Sequence, residues 1–269
     1  RRADQIVVET QSVKDRLASL LGIDPAKIAV IANGLNPVFR NYRQGENETD
    51  GCTRILVPSA YYPHKNLEII PEVAAAIRKA DPGLGFQFQL TLDPESQPWR
   101  ALHRKTMALD AQNFVTTLGV LTLDDLARAY QKAAAVFLPT LREASTSVYP
   151  ESFYFRRPLV TSDRDFAREL CGDAALFIPP RDADAIAHCL IKLLRSPDLG
   201  KGLAEAGERQ LARRYPDPDT KFAMQLELMM QVACQGKRTR FHVNAGSTEG
   251  DDGFRQYRSG WNRSEIGRG

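Results

Sequence analysis

The chain has 269 residues, 43% of them hydrophobic, and a formal net charge of +3. That length holds one large α/β domain or two small ones with a core of their own, and so small and interspersed a charge argues against nucleic acid as a partner. No stretch approaches the roughly 20 apolar residues of a membrane span, and Arg1-Arg-Ala-Asp-Gln5 lacks the apolar core of a signal peptide, so the expected location is cytoplasmic, either free or peripheral at the inner face of a membrane.

Along the chain, strand-like and helix-like runs alternate. Gln5 to Glu9 reads as a strand, and Thr10 caps a helix from Ser12 to Leu21 that Gly22 ends. Lys27 to Ala32 is a β-branched strand stopped by the turn pair Asn33-Gly34. Arg54 to Val57 is the next strand. A helix is expected from Asn66 to Lys79, with Leu67, Ile70, Val73, Ala74 and Ile77 on one stripe. Phe86 to Leu92 is a strand, Trp99 to Leu109 a helix, and Phe114 to Leu118 a strand ending at Gly119. Thr122 and Asp125 have capping-box spacing ahead of Leu126, Ala129 and Tyr130. Strands follow at Ala135 to Leu138, Pro158 to Thr161 and Ala175 to Ile178, with a short helix from Phe166 to Leu170 between the last two. Three further helices are expected over Asp182 to Arg195, Leu199 to Arg213 and Lys221 to Cys234.

Short strands separated by helices predict an α/β fold, a Rossmann-like parallel sheet with helices on both faces. From Gly236 to Gly269 apolar periodicity fades and Gly, Arg, Ser and Asp dominate, which predicts a flexible polar tail. The two N-x-S/T sites, at Asn47 and Asn262, read as chance matches. The four cysteines, Cys52, Cys171, Cys189 and Cys234, show no paired spacing and read as free thiols.

Candidate chemistry lies where strands end, because an open parallel sheet binds ligands beyond the carboxyl ends of its strands. Glu143 and Glu151, with seven residues between them, follow the strand Ala135 to Leu138. Two carboxylates so spaced can accept hydrogen bonds from different rings of one sugar-bearing ligand. Taken singly, each reads sooner as an ordinary acid: Glu151 as one stabilised at a helix start, Glu143 as a solvated loop acid. Lys65, in Tyr61-Tyr-Pro-His-Lys-Asn-Leu67, stands before a predicted helix, where an ammonium and free N–H groups favour a phosphate; the alternative is a surface lysine. Gly119 lets the backbone approach a flat ligand, with Val120 and Leu121 beside it, or is an ordinary turn glycine. His64 reads as packing in its own loop. His103, His188 and His242 show no ligand spacing with it or each other, so no protein-held metal is expected.

Several of these pieces form an ordered set. Ile31-Ala-Asn-Gly-Leu35, Pro63-His-Lys-Asn-Leu67, Leu118-Gly119 with Asp125-Leu126, the glutamate pair, Pro158-Leu-Val-Thr-Ser-Asp163 and Glu169-Leu-Cys-Gly-Asp-Ala-Ala-Leu-Phe177 follow one another along the chain. Over about residues 3 to 233 the chain thereby resembles the C-terminal donor-binding half of the retaining GT-B glycosyltransferases of family 4, the group 1 glycosyl transferases. The resemblance implies that Glu151 holds the ribose hydroxyls of a nucleotide-sugar donor. It implies that Lys65 neutralises the diphosphate with help from backbone N–H groups at Ser147 and Val148, and that Gly119, Val120 and Leu121 meet the base. Glu143 would lie near the donor sugar as the catalytic candidate. The family transfers sugars with retention, usually without a metal or other cofactor, and its acceptors include glycans, lipid-linked sugars and small molecules.

Departures from the family are equally specific. Ser59-Ala60 stands where a Gly-Arg pair is common, and Ala144-Ser-Thr146 where Gly-Phe-Gly often follows the first glutamate. On the same resemblance, residues 1–50 are the end of an N-terminal domain and a linker, 51–235 the donor-binding domain, and 236–269 the polar tail. Most of the N-terminal GT-B domain is expected to be missing, so this chain would bind nucleotide and transfer little. The rivals are a GT-B epimerase or phosphorylase and a noncatalytic nucleotide-binding or partner-docking module. No G-x-G-x-x-G opens a strand–helix unit, which argues against an NAD enzyme.

Overall fold

All four side chains of the strand Ala135–Leu138 are buried, as expected of a strand covered on both faces. The computed structural model describes residues 3–42 and 53–244. In chain order the elements are β1 (Ile6–Val8), α1 (Gln11–Leu21), β2 (Ile28–Val30), β3 (Arg54–Val57), α2 (Ile70–Ala80), β4 (Gln87–Leu90), α3 (Gln97–Ala108), β5 (Val115–Thr117), α4 (Leu123–Lys132) and β6 (Ala135–Leu138). They continue with α5 (Val148–Tyr154), β7 (Leu159–Ser162), α6 (Asp165–Cys171), β8 (Ala175–Ile178), α7 (Ala183–Leu194), α8 (Pro197–Arg214) and α9 (Pro218–Asn244).

Six strands form one parallel sheet in the order β5-β4-β3-β6-β7-β8. Strand order therefore reverses between β3 and β6, which is where a doubly wound sheet opens a crevice for ligands. Alternation along β6 sends Ala135 and Phe137 into one core and Val136 and Leu138 into the other. The first core is packed with Ile70, Val73 and Ile77 of α2 and Ile186 and Leu190 of α7. The second holds Tyr130 of α4, Phe153 of α5 and Leu170 of α6. Burying each such large apolar side chain contributes about 1.5–3 kcal/mol against its exposed state.

β1 and β2 pair with each other in a separate two-stranded parallel sheet. The helix between them, α1, is capped by the Thr10 hydroxyl, which accepts from Val13 N at 3.3 Å. The Glu169 carboxylate of α6 accepts from Gln11 N at 2.8 Å and Ser12 N at 2.9 Å, satisfying two more open donors of that helix end. Contacts group the chain into two units, the second beginning at Glu227 and described only as the run of α9 to Asn244.

Two expectations change. The second helix begins at Ile70 rather than Asn66, because Asn66 is left-handed (φ 57°) and a short 3-10 turn at Leu67–Ile69 intervenes. The last helix runs past Cys234 to Asn244, so the segment read as a polar tail begins in helix; residues 245–269 lie outside the described residues, as do Asn47, Asn262 and Cys52. Cys171 is buried, Cys189 half-buried and Cys234 exposed, and all three are free thiols. Among the described residues no helix is long and apolar enough to cross a membrane.

Candidate functional site

β6 ends at Leu138, the loop that follows carries Glu143, and α5 after it carries Glu151. Opposite that loop, the chain leaving β3 runs through Pro58, Ser59 and Ala60 to a 3-10 turn at Pro63–Lys65. The two loops are tied together. The carbonyl of His64 accepts from Leu141 N at 2.7 Å and from the Thr140 hydroxyl at 3.1 Å. Asn66 donates its side-chain amide to the carbonyls of Pro139 at 3.2 Å and Pro180 at 2.7 Å, bridging the loops after β6 and β8. The His64 ring stacks on Tyr62 with centroids 5.5 Å apart, the packing role expected of it.

Lys65 and Glu143 meet through this frame. The Lys65 ammonium donates directly to Glu143 Oε1, which also accepts from the Thr140 hydroxyl at 3.0 Å. Their side chains are 15% and 9% exposed, so the pair is largely withdrawn from water yet internally matched. Lys65 does not directly precede α2, as expected of it. The left-handed Asn66 and the following 3-10 turn separate the two.

Glu151 sits in a different setting. It lies in the first turn of α5, 5% exposed. Its Oε2 accepts from the Tyr130 hydroxyl at 2.8 Å. Tyr130 is fully buried and stacked on Phe155 at 5.1 Å. Burial pushes the Glu151 carboxyl up to about 7, with hydrogen bonds from Tyr130 and Ser147 opposing the rise. A carboxyl poised there gains charge readily once further donors reach it.

A groove of about 550 Å³ opens over this wall. Ser147, Val148 and Glu151 of the expected set line it, together with Ser59 and Ala60. Its far side is Asn33-Gly34 and Lys221 of α9. The Lys221 ammonium donates to Asn33 Oδ1 at 3.0 Å and Glu9 Oε1 at 3.3 Å. Gly34 packs so closely that an added Cβ would fall 2.7 Å from the Pro216 carbonyl oxygen, which requires glycine there. Val148 N–H, expected to face a phosphate, is engaged by the Thr146 hydroxyl at 3.3 Å.

Lys65 and Glu143 are not among the residues lining this groove, and neither are Gly119, Val120 and Leu121. Gly119 is left-handed (φ 78°) and donates its N–H to the Thr117 hydroxyl at 3.2 Å. Val120 is exposed and Leu121 packs toward the second core; the neighbouring Leu123 and Leu126 of α4 reach the groove instead. The expected site residues thus fall into three groups along the strand ends. Among the described residues no three His, Cys, Asp or Glu side chains converge as a metal site would need.

Two residues, Tyr130 buried behind Glu151 and Lys221 on the groove, had a weak signal or none in the sequence. Tyr130 appears there only as part of the apolar stripe of α4, although a buried tyrosine hydroxyl needs a partner. Lys221 stands one turn into a helix far down the chain, with nothing local to mark it.

The family model described as "Glycosyl transferases group 1" matches residues 52–196, more than half of the chain. The chain belongs to the group 1 glycosyltransferases. Within or beside that family, the chain is 23% identical over 199 residues to the O-antigen chain mannosyltransferase RfbU of Salmonella typhimurium, covering 74% of this chain and 53% of that protein. It is 26% identical over 223 residues to glycogen synthase of Mycobacterium tuberculosis, covering 80% of this chain and 51% of that one. The chain therefore spans about half the length of the curated relatives it matches. A glycosyltransferase from Rickettsia africae shares the fold with a TM-score of 0.73 at 18% identity, covering 86% of this chain and 64% of that one. Anabaena HepE, solved in complex with UDP and glucose, shares it with a TM-score of 0.71 at 16% identity, covering 85% and 63%. The expected Rossmann-like domain of GT-B type is the one observed.

Proposed function

We propose that this chain is the donor-binding half of a retaining glycosyltransferase that takes its sugar from a nucleotide-sugar. The observation that carries the reading is Glu151, a buried carboxyl poised near 7 on the wall of a groove at the switch point of the sheet. Ribose hydroxyls donating to it would complete the hydrogen bonding that Tyr130 begins and draw it to the ionised form.

Lys65 and Glu143 supply the reacting end. In the free chain each holds the other. A diphosphate arriving beside Lys65 competes for the ammonium, and its release leaves Glu143 free to accept from sugar hydroxyls. As the glycosidic bond breaks, negative charge grows on the departing diphosphate and positive charge on the ring, and a fixed ammonium on one side with a carboxylate on the other stabilises both. The reaction as proposed uses no metal. The acceptor, whether glycan, lipid-linked sugar or small molecule, is presented on this reading by the other domain of the GT-B pair. A cytoplasmic location, free or peripheral at the inner face of a membrane, belongs to the same proposal.

Calorimetry with UDP, GDP and ADP tests it. One of the three should bind, and Glu151→Ala and Lys65→Ala should each weaken it by about tenfold or more. No binding at millimolar nucleotide, or parental affinity in both variants, would sink the assignment.

A further inference from the structure

Beyond the frame that joins Lys65 to the β6 loop lies a second cavity, of about 350 Å³, that shares no residue with the groove. Four arginines line it, each from a different element: Arg16 of α1, Arg142 after β6, Arg164 after β7 and Arg181 after β8. One carboxylate, Asp165, lines it with them, and Arg16 takes that one as an ion pair. Asp163, whose carboxyl also feels the charge of Arg164, is held instead by both guanidinium arms of Arg168, at 2.6 and 2.8 Å. Among the described residues no carboxylate pairs with Arg142, Arg164 or Arg181. The Nε of Arg164 is buried and meets no acceptor there.

Three guanidinium groups gathered from three loops without a salt-bridge partner make a positive site that an anion would join. A buried N–H without an acceptor likewise calls for one. Planar forks of donors match the oxygens of a phosphate with two bonds apiece. The cavity is also held in register with the reacting end. Arg142 directly precedes Glu143, and Asn66, next to Lys65, bonds the Pro180 carbonyl just before Arg181.

We propose that this cavity binds a phosphoryl group carried by a molecule other than the nucleotide. On the function proposed above, from which only this last step is drawn, that molecule is an acceptor whose phosphoryl end reaches this cavity while the other domain of the pair presents the rest.

Glycerol phosphate is the probe, titrated calorimetrically into the 269-residue chain with and without saturating UDP. The parent should bind it under both conditions, and the double variant Arg142→Ala/Arg181→Ala should weaken it about tenfold or more while binding UDP as the parent does. Both arginines are exposed, so the double variant should melt with the parent. No binding of glycerol phosphate at millimolar concentration would overturn the proposal, as would parental affinity in the double variant. So would displacement by UDP, which would make the arginines a second grip on the donor diphosphate. If UDP fails to bind while glycerol phosphate still needs the arginines, the anion site stands and the nucleotide reading falls.

Discussion

Glu143 and Glu151 leave the same strand eight residues apart, but their surroundings differ in kind. Glu143 faces an ammonium and a hydroxyl, so its charge is matched inside the protein. Glu151 faces a phenol and a wall of aromatic rings, and burial lifts its carboxyl to about 7. One acid is matched by a full opposite charge before any ligand arrives, and the other is held only by the neutral donors Tyr130 and Ser147. A ligand's hydroxyls can add to the neutral donors at the second, and must exchange partners at the first.

The largest expected effect tests the Glu151 side of that contrast. Its folded value of about 7 lies above the 4.5 of an ordinary glutamate. The linked stabilisation is therefore full below pH 4.5 and is lost as pH rises through 7. This amounts to something on the order of 3 kcal/mol. Urea unfolding of the parent at pH 5 and pH 8 should show this loss, and Glu151→Gln, which cannot ionise, should remove most of it. An unchanged pH profile in Glu151→Gln would mean that the carboxyl is not desolvated as described. UDP affinity should run the other way in the parent, rising with pH through 7 as the carboxylate forms.

Breaking the matched pair comes next. Lys65→Ala leaves Glu143, 9% exposed, without its cation and should cost about 2 kcal/mol. Adding Glu143→Ala should restore part of that, as urea midpoints of the cycle would reveal. Additive losses would show the two groups to be uncoupled. Tyr130→Phe should cost about 1 kcal/mol and move the pH midpoint of UDP binding upward, because the hydroxyl that opposes the rise is gone. The exposed pair Arg100–Glu95, at 58% and 79%, is the control, and Arg100→Ala should stay within about 0.5 kcal/mol.

What could be read from the chain alone follows the range of the forces involved. β3, β6 and β8 have the bounds expected, because an apolar run with both faces covered announces itself locally. The start of α2 was hidden, since Asn66 departs from helix for partners 73 and 114 positions away. The Lys65–Glu143 pair spans 78 positions and the Tyr130–Glu151 bond 21. Each residue type hinted at its chemistry, and only the strand order set the partners. The arginine cavity was likewise invisible, because its four members are spread from Arg16 to Arg181 and converge only when β6, β7 and β8 stand side by side.

The two bonds of the Asn66 amide also set a schedule. Its partners, Pro139 and Pro180, come into place only after β6 and β8 have joined the sheet. A growing chain that has released Lys65 but not yet Pro180 has at most one of the two acceptors of the Asn66 amide. Contacts of such sequence separation form late because long loops must close first. A chain cut short of β8 would therefore lack the Pro180 acceptor that this turn uses.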